Sequence, residues 1–452
     1  MCLLDPAAAR PRRGPCVVPR EHSTPHAGRP NAARPKCLHW TQRDVPHGIT
    51  HGATSQHRPS SRHAKEKNVR IVLASDSLKG TLSTDDTAEL LRAAATRHLP
   101  DATCVAVPMA DGGEGTAEVL ARACGGTMRT ADAHDALGRP ITARYALLPH
   151  GEAVIEMAAA AGLPQLAPDE RDPERASTYG VGELVLDALD HGATSLTLAL
   201  GGSATNDGGA GCMRALGFGL LDATGRAFEG RGCDLARLAR IDCAHADARL
   251  AHLSVTVMCD VDAPLLGPGG ATMVYGPQKG ADAAALARLE VGMANYARVL
   301  KATFGQDFDV PGAGAAGGMG AGCLAFLGAR QQSGIVRVLE LVHFDELLAH
   351  ADLVVTGEGR LDAQTAHGKV VAGVAAACAR AHVPCVAVVG SIAPGATPPA
   401  GLAATFPTAS GPITLDYALA HARELYAATA ERLFSTIALG RSLGGIRAAP
   451  RC

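Results

Sequence analysis

Val69-Arg70-Ile71-Val72-Leu73-Ala74 is a short, β-branched apolar run that ends abruptly in Ser75-Asp76-Ser77-Leu78-Lys79-Gly80. Five apolar residues in six positions, the last four continuous and bounded by turn formers, predict a strand buried on both faces. Ser83-x-x-Asp86 then opens a helix as a capping box, with Ala88, Leu91 and Ala95 at helical spacing. Residues 103–109 predict a second strand, and 116–123 a helix stopped by Gly125-Gly126. Buried-type strands alternating with helices predict an α/β fold with a mainly parallel sheet.

Outward from that start, the middle of the chain changes rhythm. Residues 127–144 and 145–157 alternate apolar and polar side chains around Leu137-Gly138-Arg139-Pro140 and Pro149-His150-Gly151, predicting a hairpin-rich, mixed segment. A helix over 182–191 and strands over 196–200 and 253–259 follow. The helix predicted over 282–304 carries Leu286, Leu289, Met293, Tyr296 and Leu300 on one stripe. Residues 310–329 hold no charge, yet seven are glycine and only five are large and apolar. That is too little hydrophobicity for a membrane span, so a glycine-rich loop leading into a helix is expected. Helices over 334–348, 370–382 and 417–439, with strands over 352–356 and 385–389, restore the simple α/β rhythm. One domain built from both ends of the body, with the middle inserted, is the expected organisation.

The chain has 452 residues, 47% of them hydrophobic, which suffices for two or three domains. A net charge of −2 argues against a polyanion-binding protein. The total hides an asymmetry: residues 1–67 hold 12 basic and 4 acidic residues, and the rest carries a net −10. Residues 1–67 also hold 9 of the 27 prolines and almost no apolar periodicity, so a disordered or non-native leader is expected there. It has no apolar stretch of the length a secretory signal needs, about 7–15 residues. The 13 cysteines include no C-x-x-C pair, so paired zinc and redox motifs are absent. They read as small core residues of a cytoplasmic protein. No nucleic-acid or membrane partner is expected, and oligomeric state is open, a homodimer included.

Polar and glycine residues concentrate where the predicted strands end, at 75–80, 110–116, 201–209, 260–262 and 357–362. In open parallel sheets ligands bind beyond the carboxyl ends of strands. Glycines let backbone N–H groups approach phosphate oxygens, and Lys and Arg neutralise charge. Carboxylates hold Mg²⁺ together with waters and phosphates, and a further Asp can accept a hydroxyl proton. Together these are the parts for phosphoryl transfer.

Plainer readings stand beside each of these. Residues 201–209 resemble a capped turn, since Gly, Ser, Asn and Asp all favour turns, but nine positions without a bulky side chain exceed what a turn needs. Gly312-x-Gly-x-x-Gly317 matches a dinucleotide fingerprint, yet Asp309-Val310-Pro311 precedes it and no strand does. Lys369 follows Gly368 but lacks the rest of a Walker A motif. His343 and His350 read as ordinary surface or core groups.

The turns also carry a resemblance. Asp76-Ser77-Leu78-Lys79-Gly80, Ala110-Asp111-Gly112-Gly113-Glu114-Gly115-Thr116, Gly276-Pro277-Gln278-Lys279-Gly280-Ala281, residues 201–211 and Thr356-Gly357-Glu358-Gly359-Arg360-Leu361-Asp362 resemble the glycerate kinase family that contains bacterial glycerate 2-kinases. The likeness runs from about residue 69 to about 439. It implies ATP-dependent phosphorylation of D-glycerate, with 2-phosphoglycerate favoured as product and 3-phosphoglycerate open. It also implies a flavodoxin-like α/β domain from 68–128 and 306–440, an inserted mixed α/β domain over 129–305, a tail over 441–452, and a site in the cleft. Ser75 stands where the family usually has Pro, and Leu78 where it usually has Phe.

Strand-end placement suggests roles. Lys79 is assigned to the charge of the transferred phosphoryl group. Asp207 is the preferred general base and Asp76 the second choice. Asp111 and Asp260 are the candidates for Mg²⁺. Arg360, aided by Ser203 and the Gly201 and Gly202 amides, is expected to hold a phosphate or the substrate carboxylate, with Ser77, Asn206 and Glu358 beside them. A nicotinamide-dependent oxidoreductase using the 312–317 loop, or a nucleotide sensor without turnover, remain the alternatives.

Overall fold

The computed structural model describes residues 68–78, 80–362 and 369–447. Among these the strands are β1 (Arg70–Ser75), β2 (Thr103–Ala106), β3 (Thr127–His134), β4 (Pro140–Leu147), β5 (Glu152–Glu156), β6 (Ser195–Ala199) and β7 (Gly219–Leu221). They continue with β8 (Arg240–Asp242), β9 (Ser254–Met258), β10 (Arg330–Gln332), β11 (Leu353–Leu361), β12 (Cys385–Ile392) and β13 (Leu402–Pro407). The leader expected over 1–67 lies outside the described residues.

β1 shows why its run is apolar without alternation. Successive side chains point to opposite faces. Ile71 and Leu73 pack with Leu91, Tyr426 and Phe434, whereas Val72 and Ala74 pack with Leu120 and Val374. Both faces are covered, as parallel sheets require.

The first sheet has the order β13-β12-β11-β1-β2, and every neighbouring pair is parallel. Read from β2, that is the flavodoxin-like order 2-1-3-4-5, and it reverses between β1 and β11. The second sheet has the order β10-β9-β6-β5-β4-β3. Its β5, β6, β9 and β10 are parallel, and β3, β4 and β5 are antiparallel. β7 and β8 form a separate ribbon. The α/β class and the mixed character of the middle are thus as expected.

Two helices, Thr116–Ala123 and Gly334–Leu341, join the sheets. Their Leu120, Ile335 and Val338 share one core with Val72 and Val354 of the first sheet and with Val154, Ala199 and Met258 of the second. Arg337 adds a buried ion pair to Glu152 of β5 at 2.8 Å, and its Nε donates to Thr197 Oγ1 of β6 at 2.9 Å. Residues 306–332, expected with the outer segments, instead serve the second sheet. β10 pairs with β9, and Ala315, Met319 and Cys323 of helix Ala315–Leu327 join that sheet's core.

The capping box at Ser83 forms as expected, and helix Thr116–Ala123 has the anticipated bounds. Two differences, in β2 and β11, have physical causes, while the expected glycine-rich loop leading into a helix over 310–329 is present. β2 stops at Ala106 because Val107 makes the last ladder bond, to the Leu73 carbonyl, and Pro108 has no N–H to continue it. β11 runs to Leu361, past the expected end at 356, because β12 keeps pace beside it as far as Arg360↔Ser391 and Leu361↔Ile392. The 310–329 stretch turns through left-handed Ala316, Gly317 and Gly318 before its regular helix. Among the described residues no helix is long and apolar enough to cross a membrane, and the described cysteines are free thiols.

Candidate active site

Two cavities open at the carboxyl ends of the sheets. The larger, about 540 Å³, lies at the β1/β11 reversal and is lined by Asp76, Ser77, Glu358, Arg360 and Lys369, with Ile413 and Leu415 on its apolar side. The smaller, about 310 Å³, lies at the ends of β6 and β9 and is lined by Gly201, Gly202, Ser203, Asp260, Tyr275 and Lys279. Asp111 lines both.

The Asp111 turn is built from two directions. Asp111 Oδ1 accepts from the Gly113 amide at 3.0 Å, and Thr116 Oγ1 donates to the Gly113 carbonyl at 2.7 Å. Glu156, the last residue of β5, accepts from the Gly115 and Ala117 amides at 3.2 and 2.7 Å. It therefore caps helix Thr116–Ala123 from the other sheet. Burial, the largest influence, raises the Glu156 pKa above the usual carboxylate range. From the end of β10, Gly334 presses against this turn, where a Cβ would collide with the Asp111 carbonyl.

Asp260 follows β9 and accepts from the Gly334 amide at 3.0 Å. Burial pushes its pKa up, and the nearby Asp111 carboxylate pushes in the same direction. A buried carboxylate whose charge is disfavoured by a second carboxylate nearby is part of a donor set that a divalent cation would relieve. Among the described residues no cluster of three or more metal-ligating side chains exists. That fits Mg²⁺, which takes one or two carboxylates and completes its shell with water and phosphate, better than a cation that needs an all-protein cage.

Asp76, Ser77, Glu358 and Arg360 come together in the larger cavity. Asp76 Oδ1 accepts from the Ser77 amide at 2.7 Å. Glu358 and Arg360 lie two apart on β11 itself, so they share a face. Ser75 is buried, with its hydroxyl 3.5 Å from the Tyr426 hydroxyl, and does not line either cavity. Lys79 lies outside the described residues.

Three assignments are revised by these positions. Arg360 and the Gly201–Gly202–Ser203 group line different cavities, because they end strands of different sheets. Asn206 is fully buried and donates to Thr272 Oγ1 at 3.1 Å, away from both cavities. Asp207 is also fully buried and lines neither cavity. Its Oδ2 accepts from Thr178 N and Oγ1, each at 2.8 Å, and from Gly211 N at 3.3 Å, while Oδ1 accepts from Gly209 N at 3.0 Å. Four donors, two from Thr178 and two from the turn's own Gly209 and Gly211, make it the knot of the 201–211 turn. The 312–317 glycines serve the same turn: Gly317, with φ +68°, accepts from Gly208 N, and a Cβ there would collide with the Thr205 carbonyl. Close backbone packing, not a dinucleotide, accounts for that run.

Lys279 was missed as a site residue. It is 2% exposed, ends a short turn Pro277–Lys279, and donates from Nζ to Ser203 Oγ at 2.9 Å and to the Thr205 carbonyl at 2.7 Å. Burial holds its pKa down to about 7, against a smaller upward pull from Asp207. In the unfolded chain a lysine keeps its proton up to about 10.5, so between pH 7 and 10 the unfolded state binds more protons. Stability from this group therefore rises with pH across that window. Urea unfolding at pH 7 and pH 9.5 is expected to show wild type gaining on Lys279→Met, by roughly a few kcal/mol. An unchanged difference between the two would mean a lysine that stays protonated.

A flavodoxin-like sheet and a mixed sheet, with carboxylates, cations and glycine turns at the carboxyl ends of their strands and Asp111 lining both cavities, fit a small-molecule kinase. The chain matches the glycerate kinase family over residues 71–438 and belongs to it. It is 41% identical over 381 residues to the glycerate 2-kinase of Escherichia coli (strain K12), covering 83% of this chain and 100% of that one. It is 42% identical over 379 residues to the glycerate kinase of Bacillus subtilis (strain 168), covering 83% and 99%. The crystal structure of a Salmonella typhimurium LT2 protein assigned as glycerate kinase 2 superposes with a TM-score of 0.76 at 41% identity, over 83% of this chain and all of that one.

Proposed function

We propose that the protein transfers the terminal phosphoryl group of ATP to the 2-hydroxyl of D-glycerate, giving 2-phosphoglycerate and ADP. The observation that carries this reading is Asp111, shared by two cavities of unequal size. The larger cavity has the room and the apolar side, Ile413 and Leu415, for a nucleotide. The smaller suits a three-carbon acid. The reacting atoms then meet where the cavities adjoin.

In this reading Arg360 and Lys369 neutralise the triphosphate, and Lys79 acts on the transferred group. Asp111 and Asp260 would hold Mg²⁺, which supplies charge neutralisation at the phosphates when bound. Asp76 takes over from Asp207 as general base, since it lines the same cavity as Asp111. The Gly201 and Gly202 turn and Ser203 orient the acid. We further read the two sheets as two domains, with the chain crossing near residue 129 and returning near 333, so that closure excludes water and limits idle ATP hydrolysis. The experiment is release of ADP from ATP on addition of D-glycerate, with the product identified by phosphorus NMR.

A further inference from the structure

Lys279 is a buried amine in the wall of the smaller cavity, with no ionic partner among the described residues. Its two acceptors, Ser203 Oγ and the Thr205 carbonyl, are both neutral. Among the described residues no carboxylate stands within ion-pair distance of Nζ; the charge that acts on it from further off is Asp207, whose oxygens are already engaged by four donors. An ammonium has three N–H bonds, and two are accounted for. Burying a charge without a counter-charge is expensive, and a site that keeps such a group gains when an anion completes it. The surroundings suit a small anion: glycines 201 and 202 bring backbone close, and Gln278 and Tyr275 add polar edges.

Building on the function proposed above, we infer that Lys279 receives the carboxylate of the hydroxy acid in the smaller cavity. Holding that end at Lys279 directs the hydroxyl end toward Asp111 and the nucleotide. Lys279 is then a binding and specificity residue that selects an acid over its neutral analogues. With its pKa held down to about 7 by burial, the lysine takes up a proton as the carboxylate arrives.

The test compares D-glycerate with its neutral amide, glyceramide, as substrates of the wild type, Lys279→Gln and Lys279→Arg. The wild type is expected to prefer the acid in kcat/KM, and Lys279→Gln to lose about 30-fold or more of that preference. Lys279→Arg restores part of it. The loss falls on the acid and not on KM for ATP, which separates a carboxylate anchor from a phosphate anchor. A lysine that only braced the Ser203 turn would lower both substrates alike and leave the preference intact; that result overturns the inference. Should the variants fold poorly, calorimetry of D-glycerate binding to the wild type at pH 7, in two buffers of different ionisation enthalpy, carries the same question. Net proton uptake supports the inference and none overturns it. A wild type that does not phosphorylate D-glycerate overturns the functional reading and this inference with it. An active wild type whose Gln variant keeps the preference overturns this inference alone.

Discussion

Asp76→Asn is expected to lower kcat by about 10²-fold or more while moving KM for either substrate far less. Asp76 sits at the carboxyl end of β1, the strand beside which the order of the first sheet reverses, and its amide donates to the Gly357 carbonyl of β11. The backbone is thereby held from both strands, and the side chain lines the cavity it shares with Asp111. Asparagine keeps the volume and the turn but removes the proton acceptor. An effect confined to kcat is the mark of a group needed in the transition state and not for binding. Turnover within about threefold of wild type would mean that the hydroxyl proton leaves by another route.

Asp207→Asn is the second large effect, and it is expected in stability. The carboxylate accepts from Thr178 N, Thr178 Oγ1, Gly209 N and Gly211 N. An amide turns one acceptor into a donor that faces donors, at a fully buried position. The expected cost is about 2–5 kcal/mol, read as a lower urea midpoint at unchanged slope. Turnover per folded molecule should stay within several-fold. A variant with wild-type stability and lost turnover would restore Asp207 to the role its sequence context suggests.

The contrast between these two aspartates shows what the sequence could convey. Buried parallel strands announce themselves, because both faces are covered and the run is apolar throughout. β1, β6 and β9 were legible for that reason, and so were the polar turns that follow them. β13 was not legible: Leu402–Pro407, Leu-Ala-Ala-Thr-Phe-Pro, is a half-buried edge strand with neither strict alternation nor a continuous run of large apolar residues. Inward and outward carboxylates look alike in a glycine-rich turn. Asp76 faces a cavity, whereas Asp207 faces Thr178 and the amides of its own turn, a difference made by residue 178, which lies far away in the chain. Lys279 was hidden for the same reason. Its Nζ is held by Ser203 and Thr205, 76 and 74 residues earlier in the chain, and a lysine at the end of a short turn reads as a solvated charge. The family motifs include residues that line the two cavities, while the division of Arg360 from Ser203 needed the order of the strands.

Proton-coupled phosphorus NMR of the product formed from ATP and D-glycerate tests the central claim most directly. A phosphomonoester signal split into a doublet by the single proton at carbon 2, growing with ADP, is the predicted result. A triplet from the two protons at carbon 3, or ADP and inorganic phosphate without any phosphoglycerate, would contradict the account.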